Sequence, residues 1–439
     1  MNTLPLLRQL AGFALAVLAF PAASRADPPP APARLSLAET GAIADGTTIN
    51  TAAIQGAIDR LAAAGGGTVI VPAGVFVSGA LDLKPGVNLH LEKDAVLRAT
   101  TDMAHFPPRR TRIEGQFPVF TPALLNIDGC DGFRLTGEGT LDGDGRRIWD
   151  EFWARRKADP KTRNLDIARA RLVLLSNSRD VRVEGVTFKN SQFWNLHLYR
   201  CRDVVVRNAT FVVPDDYKQA PSTDGIDVDS CQDVLIEGCS FSVTDDCVAL
   251  KGTKGPFALE DKDSPPVERV RMVGCSYRRG SAVLTLGSEA TIVRDVLVEK
   301  AQVTGPMFLL HIKLRPDTPQ QYSNVQVRDV VLDSTGGQVI YAAPWRQYFD
   351  LQGQPPPRST VRDITLSRIT GRFGAFGRID GNPNQTAIDG IRLERVNLTL
   401  AKDQLRVGDV ANLRLEDVTI NGQPFTPPSP APAPGVRSK

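Results

Sequence analysis

Two adjacent aspartates, Asp245 and Asp246, stand in "VTDDCVALKG" (243–252), directly before an apolar, strand-like run. A third, Asp224, stands in "STDGIDVDSC" (222–231), in the same local setting and twenty-two residues before Asp246. Neighbouring carboxylates repel one another, so a chain keeps them at a solvated turn or where chemistry uses them. Paired carboxylates suit the hydrolysis of a glycosidic bond, one protonating the leaving oxygen and another activating water. A cluster of hard oxygen donors also suits Ca²⁺, and aspartate before a strand is also an ordinary polar turn residue.

A repeat is what would bring these groups together. From residue 133 onward the chain returns to one pattern: "FRLTGEGTL", "VRVEGVTF", "VVVRNATF", "VLIEGCSF", "VRMVGCSY", "VLVEKAQV", "VQVRDVVL". The starting points Val181, Val204, Val234, Val270, Val296 and Val325 lie 23 to 36 residues apart, which means fixed strands and variable loops. Each unit is too small to bury its own apolar face, so neighbours must stack. Asn-Gly hairpin signals, which a sandwich would show, are scarce, and the repeats are too short for four-stranded propeller blades. The pattern predicts an all-β fold, a single-stranded right-handed parallel β-helix of about ten coils. "NTAAIQGAIDRLAAAGGG" (50–67) predicts an amphipathic helix capped at Asn50 or Thr51 and stopped by Gly65–Gly67. With Ile54, Ile58 and Leu61 on one face, it would cap the open end of the stack.

Aligning the inward apolar pairs sets a register for the stack. Leu196/Leu198, Ile226/Val228, Val248/Leu250, Leu284/Leu286 and Ile312/Leu314 fall into line. Side chains alternate along a strand, so one outward column reads His197, Asp227, Ala249, Thr285, Lys313, and the next Tyr199, Asp229, Lys251, Gly287, Arg315. A third column reads Trp194, Asp224, Asp246, Ala282, Leu310. Asp224 and Asp246 are then coil neighbours about 4.8 Å apart, with Asp245 beside them. Trp194 would offer an aromatic platform, and Lys251, Lys313 and Arg315 would bind the carboxylate of an acidic sugar.

Composition narrows the setting. Residues 1–26 carry Arg8, an apolar run from Leu10 to Phe20 and small residues at Ser24 and Ala26, the marks of a secretory signal peptide cut after Ala26. That run is shorter than the ~20 residues of a membrane span, so the expectation is a secreted or periplasmic protein. Losing Arg8 and Arg25 lowers the formal charge from +3 to +1, which leaves no global field for nucleic acid. Residues 27–34 read as a Pro-rich linker, 35–425 as one domain and 426–439 as a Pro-rich tail. Of six cysteines, Cys130, Cys201 and Cys231 share one repeat position, and Cys239 and Cys275 share another. Equivalent positions predict stacked small core residues rather than a disulfide framework, with Cys247 as the exception.

These residues resemble glycoside hydrolase family 28, the polygalacturonase and rhamnogalacturonase family. "GAIADGTTINTAAIQGAIDRLAAAGGGTVIVPAGVF" is similar to the opening of bacterial members, and "SQFWNLHLYRC" to the segment before their active site. "STDG" corresponds to the family's Asn-Thr-Asp-Gly, and "DDC" to its Asp-Asp pair with the following Cys. The resemblance implies a parallel β-helix acting on pectic polysaccharide by an inverting mechanism without metal or cofactor. It makes Asp245 the general acid and gives Asp224 and Asp246 the attacking water. Two motifs depart from the pattern. "GSAVLTLGSEA" replaces Gly-His-Gly, with Ala282 at the His position, and "HIK" replaces Arg-Ile-Lys, with His311 for Arg and Lys313 retained. Bidentate carboxylate binding goes with the Arg, leaving His311 as a neutral donor or a packed ring. A rhamnogalacturonan hydrolase or exo-galacturonidase, acting as a monomer, is therefore expected over a plain endo-polygalacturonase. The insertion 252–270 is a candidate groove wall favouring short substrates. The competing readings are a Ca²⁺-dependent polysaccharide lyase and a non-catalytic polysaccharide-binding β-helix.

Overall fold

Short segments of alternating polarity become strands, and each strand pairs in parallel with its counterpart one coil away. A computed structural model describes Met1 and residues 33–347 and 350–426. The predicted signal peptide, most of the linker, Tyr348 and the tail from 427 lie outside the described residues. Among the described residues one ladder passes through thirteen successive strands, from Arg34–Ser36 to Arg414–Ile420. The architecture is a right-handed parallel β-helix, with more coils than the ten expected. The early coils lack the repeat pattern, whereas the late coils carry it in "ITLSRITG" and "IRLERVNL" within the long strands Ser359–Ile379 and Thr386–Val407.

The repeat owes its shape to one backbone position. Asp180, Asp203, Asp233, Arg269, Asp295 and Asn324, each directly before a repeat start, all adopt φ between 51° and 60°. Asp and Asn tolerate this left-handed region better than most side chains, which accounts for the recurring Asp-Val. Inside the coils identical side chains stack. Phe188, Phe211, Phe241 and Tyr277 form a column with ring centroids 4.7, 5.0 and 5.2 Å apart. All six cysteines are free and buried, Cys247 included. Cys201 N–H donates to Cys231 Sγ at 3.2 Å, so these residues stack as core positions.

At the N-terminal end, helix α1 (Thr51–Ala63) buries Ile54, Ala57, Ile58 and Leu61 against the core. Its first residues are placed as expected, but the Asn50 side chain does not cap. It bonds instead to the backbone of Ile43 and Thr48.

The face that carries the aspartates is built from β1 (Leu125–Asp128), β2 (Val173–Ser176), β3 (Leu196–Tyr199), β4 (Ile226–Asp229), β5 (Val248–Lys251), β6 (Ala282–Leu286), β7 (Phe308–Leu314) and β8 (Gln338–Pro344). Leu196, Ile226, Val248 and Leu284 pair in the expected register. The next coil corrects it: Leu284 pairs with Leu310 and Thr285 with His311. His311, not Lys313, therefore continues the column of His197, Asp227, Ala249 and Thr285, while Ala282 pairs with Phe308 rather than Leu310. A slip of two residues keeps the same side chains inward, so polarity alone could not distinguish the two registers.

An unexpected β-hairpin, residues 109–120, leaves the stack and lies on this face. Arg109–Arg110 pairs antiparallel with Val119–Phe120, and Ile113 and Gln116 close the tip. Ile113 and Phe120 pack with Phe193 and Trp194.

Candidate active site

Strand pairing carries the three aspartates to one point. Gly225 N–H donates to Asp246 O at 2.9 Å, which makes Asp224 and Asp246 coil neighbours as expected. A Cβ on Gly225 would stand 2.5 Å from Cys247 O, so the Thr-Asp-Gly turn admits only glycine there. One carboxylate oxygen from each of Asp224, Asp245 and Asp246 lies within 4.8 Å of the others. They line a cavity of about 150 Å³ together with Glu114, Asn164, Trp194, Lys251, Glu289, Lys313 and Trp345.

The three carboxylates differ in what surrounds them. Asp246 is buried, and desolvation works against its charge, but Lys313, His311 and Lys251 together outweigh that and hold it well below the usual carboxylate range. Lys313 Nζ donates to Asp246 Oδ2 at 2.7 Å, and the Ser281 hydroxyl donates to Oδ1. Asp224 is pushed well above the ordinary value by burial and by the charges of Asp245 and Asp227. Asp245, half-buried, is raised by desolvation and by Asp246. Their surroundings thus push proton affinity down at Asp246 and up at Asp224 and Asp245, the kind of separation that acid–base work needs.

Lys251 is the counter-charge beneath them. Its Nζ lies 3.7 Å from Asp224, 3.4 Å from Asp227 and 3.7 Å from Glu289, and 4.7 Å above the Trp194 ring. Burial alone would depress the ammonium, yet these carboxylates raise it well above its ordinary value. Asp227, behind Asp224, is pushed by burial up to about 7 despite Lys251.

The remaining expected residues divide. Trp194, Lys251 and Lys313 line the cavity. Arg315 does not: it is 2% exposed and forks onto Asp317, Nε to Oδ1 at 2.7 Å and Nη2 to Oδ2 at 2.6 Å. A guanidinium held this way is structural, so the expectation that Arg315 binds a sugar carboxylate is replaced by an internal ion pair. His311 also lies outside the lining, packed by Phe308, Tyr341 and Trp345 with ring centroids 4.6, 5.5 and 6.0 Å away. Burial and Lys313 lower its pKa to about 4, so the ring is neutral near pH 7.

The sequence profile of glycosyl hydrolases family 28 matches residues 65–418. The chain belongs to that family. A probable polygalacturonase of Vitis vinifera is 26% identical over 383 residues, covering 85% of this chain and 75% of its own. An exopolygalacturonase of Zea mays is 25% identical over 347 residues, covering 76% of each. Among solved structures, the exopolygalacturonase of Thermotoga maritima superposes with a TM-score of 0.71 at 24% identity, covering 90% of this chain and 93% of that one.

This family 28 chain is a glycoside hydrolase, and its cavity holds groups the sequence pattern did not single out. Glu289 follows β6 in "GSEA" and joins the Lys251 cluster. Ser281 takes the contact with Asp246 that Ala282 was expected to neighbour. Trp345 in "APWRQYFDL", which as a sequence suits either stacking on a sugar or packing a loop, lines the cavity with Lys313 Nζ 4.8 Å above its ring. Glu114 arrives from the hairpin, and its only sequence signal is "RIEGQF", a two-residue turn between extended segments.

Proposed function

We propose that this chain is an inverting, exo-acting hydrolase of glycosidic bonds in pectic, galacturonate-containing chains, in the class of rhamnogalacturonan hydrolases or exo-galacturonidases. The observation that carries the reading is the cavity itself: three carboxylates within 4.8 Å of one another, their proton affinities pushed in opposite directions, line a space of about 150 Å³. That is well under the roughly 300–1,000 Å³ of drug-sized ligand sites. It suits one sugar ring at a chain end rather than a stretch of polymer. The name of the Zea mays relative, an exopolygalacturonase, agrees with it.

In this reading Asp245 gives its proton to the glycosidic oxygen as the bond to the leaving sugar breaks. Asp224 and Asp246 hold a water against the opposite face of the anomeric carbon, and its proton passes to that pair as the new C–O bond forms. Trp194 and Trp345 give the ring apolar walls. Lys313 spends one N–H on Asp246 and has two more for a uronate oxygen. No described helix is long and apolar enough to cross a membrane, and with the N-terminal signal pattern we place the enzyme outside the cytoplasm.

The test is product analysis on homogalacturonan, rhamnogalacturonan and their oligomers, with anomeric configuration followed by NMR. A single sugar of inverted configuration as the early product is the expected result. A ladder of oligomers would overturn exo action, and retained configuration would overturn inversion. An unsaturated, UV-absorbing product would make the protein a lyase.

A further inference from the structure

The face of the coil stack above β2, β3 and β4 is not an open groove, because the hairpin 109–120 roofs it. Arg171, two residues before β2, donates to Arg112 O at 2.6 Å and to Thr111 Oγ1 at 2.8 Å. Arg112 in turn forks onto Asp229 at 2.8 and 3.1 Å. Beneath this layer His197 and Asp229, which point outward from the coils, are 0% and 1% exposed. The tip ends on the loop after β5. A Cβ on Gly115 would stand 2.8 Å from Gly252 O and 3.1 Å from the Glu289 Cβ, so glycine is required for the tip to seat.

No sugar can rest on the roofed coils, so a chain that enters the cavity ends at the hairpin. We propose that this hairpin is the stop for the end of the substrate chain, and that Glu114 at its tip is a specificity-determining residue accepting hydrogen bonds from hydroxyls of the terminal sugar. The proposal rests on the reading of the cavity as a glycosidase site.

Glu114 lines that cavity with its side chain 20% exposed. Asn164 Nδ2 donates to Oε1 at 3.2 Å and Lys254 Nζ lies 3.7 Å from Oε2. These partners aim the carboxylate and leave it lone pairs to spare, since an ionised carboxylate has about four acceptor sites. The backbone argues for the side chain as well. Glu114 and Gly115 occupy a two-residue turn with φ of 46° and 73°. Such turns favour Asn-Gly, Asp-Gly or Gly-Gly. This turn lies outside the coil repeat, whose corners also adopt positive φ, and a glutamate costs more there than the residue types such turns favour.

Two variants test this. In the first, residues 113–116 are replaced by two glycines, and viscosity of a pectic polymer is followed against reducing ends released. Wild type should release single sugars with little loss of viscosity, and the shortened hairpin should release oligomers with a fast loss. In the second, Glu114→Gly relieves the turn, so Tm should hold or rise while KM for a short oligosaccharide increases about tenfold or more and kcat stays within about threefold. A folded shortened variant that still releases only single sugars overturns the stop. Glu114→Gly with lower Tm and unchanged KM makes Glu114 structural and overturns its recognition role. Should the shortened chain not fold, Glu114→Gly decides alone. Wild-type enzyme that degrades no pectic substrate overturns the functional reading and this one with it, a result distinct from active enzyme whose variants behave like wild type.

Discussion

Lys313 Nζ stands 2.7 Å from Asp246 Oδ2, with both side chains no more than 10% exposed. Removing the cation leaves a buried carboxylate without its main partner, and such a group takes up a proton rather than remain charged. Lys313→Met should therefore move the acid limb of the kcat/KM profile to higher pH. Activity at mildly acidic pH should fall by roughly 10²-fold, the lower end of what a positioned acid–base group contributes. A pH–rate profile of the variant that coincides with wild type would remove Lys313 from the mechanism.

Asp245→Asn keeps the shape of the site and removes the proton donor. Its kcat should fall by about 10²–10⁴-fold. Tm should not decrease, because one of three mutually repelling carboxylates has gone. Retained turnover with an unchanged melting curve would take the acid role from Asp245.

Burial raises both Asp224 and Asp245, so the folded enzyme keeps protons there above the ordinary carboxylate range. The acid form of Asp245, and with it activity, is present at low pH and is lost as pH rises through its raised value. Stability follows the same sign at Asp227, which moves from 3.8 to about 7 on folding. The folded state binds this proton more tightly, so its contribution is full below about pH 4 and is lost as pH rises toward 7. Thermal melts across pH 4–8 should show that decline in wild type and a flatter curve in Asp227→Asn.

The cysteines should be inert. All six are free and buried, and burial raises Cys231 and Cys247 well above the ordinary thiol range. Thiol titration should find none reactive in the native protein and six in denaturant. Four or fewer after denaturation would reveal a disulfide.

Phe211 lies between Phe188 and Phe241 with ring centroids 4.7 and 5.0 Å away. Phe211→Ala opens a void in the middle of this column and should cost about 3–5 kcal/mol in denaturant unfolding. A loss under 1 kcal/mol would mean that the coils collapse around the gap.

Repetition made the fold legible. Apolar columns, Asp-Val corners and like residues at like offsets all follow from one coil repeated, and they placed Asp224 next to Asp246 before any coordinates. What repetition does not encode was missed. The hairpin at residues 109–120 belongs to no repeat, yet with the loop that brings Asp263 O to the Tyr199 hydroxyl at 2.7 Å it covers His197, Asp229 and Tyr199, which point outward. Periodicity of two hides slips of two, so the column was misread at Lys313 and His311. Arg315 looked like a free cation because Asp317, its partner two residues on, falls in none of the aligned columns. The insertion 252–270 contributes no residue to the cavity lining. It supports the hairpin tip from behind, through Gly252 against Gly115 and Lys254 against Glu114.

The parallel stack also limits how this catalyst can change. Trp194, Asp224, Asp246, Ser281 and Lys313 come from five successive rungs, so the site is assembled across the stack rather than within one coil. Duplicating or deleting a rung outside the span from the hairpin 109–120 to Trp345 would lengthen or shorten the rod and leave the cavity lining whole. The same event between Asp246 and Lys313 would shift one half against the other by about 4.8 Å, which no hydrogen bond from Lys313 to Asp246 survives. Evolution and engineering can therefore trade rungs freely at the ends, while the central five are inherited together or lost together.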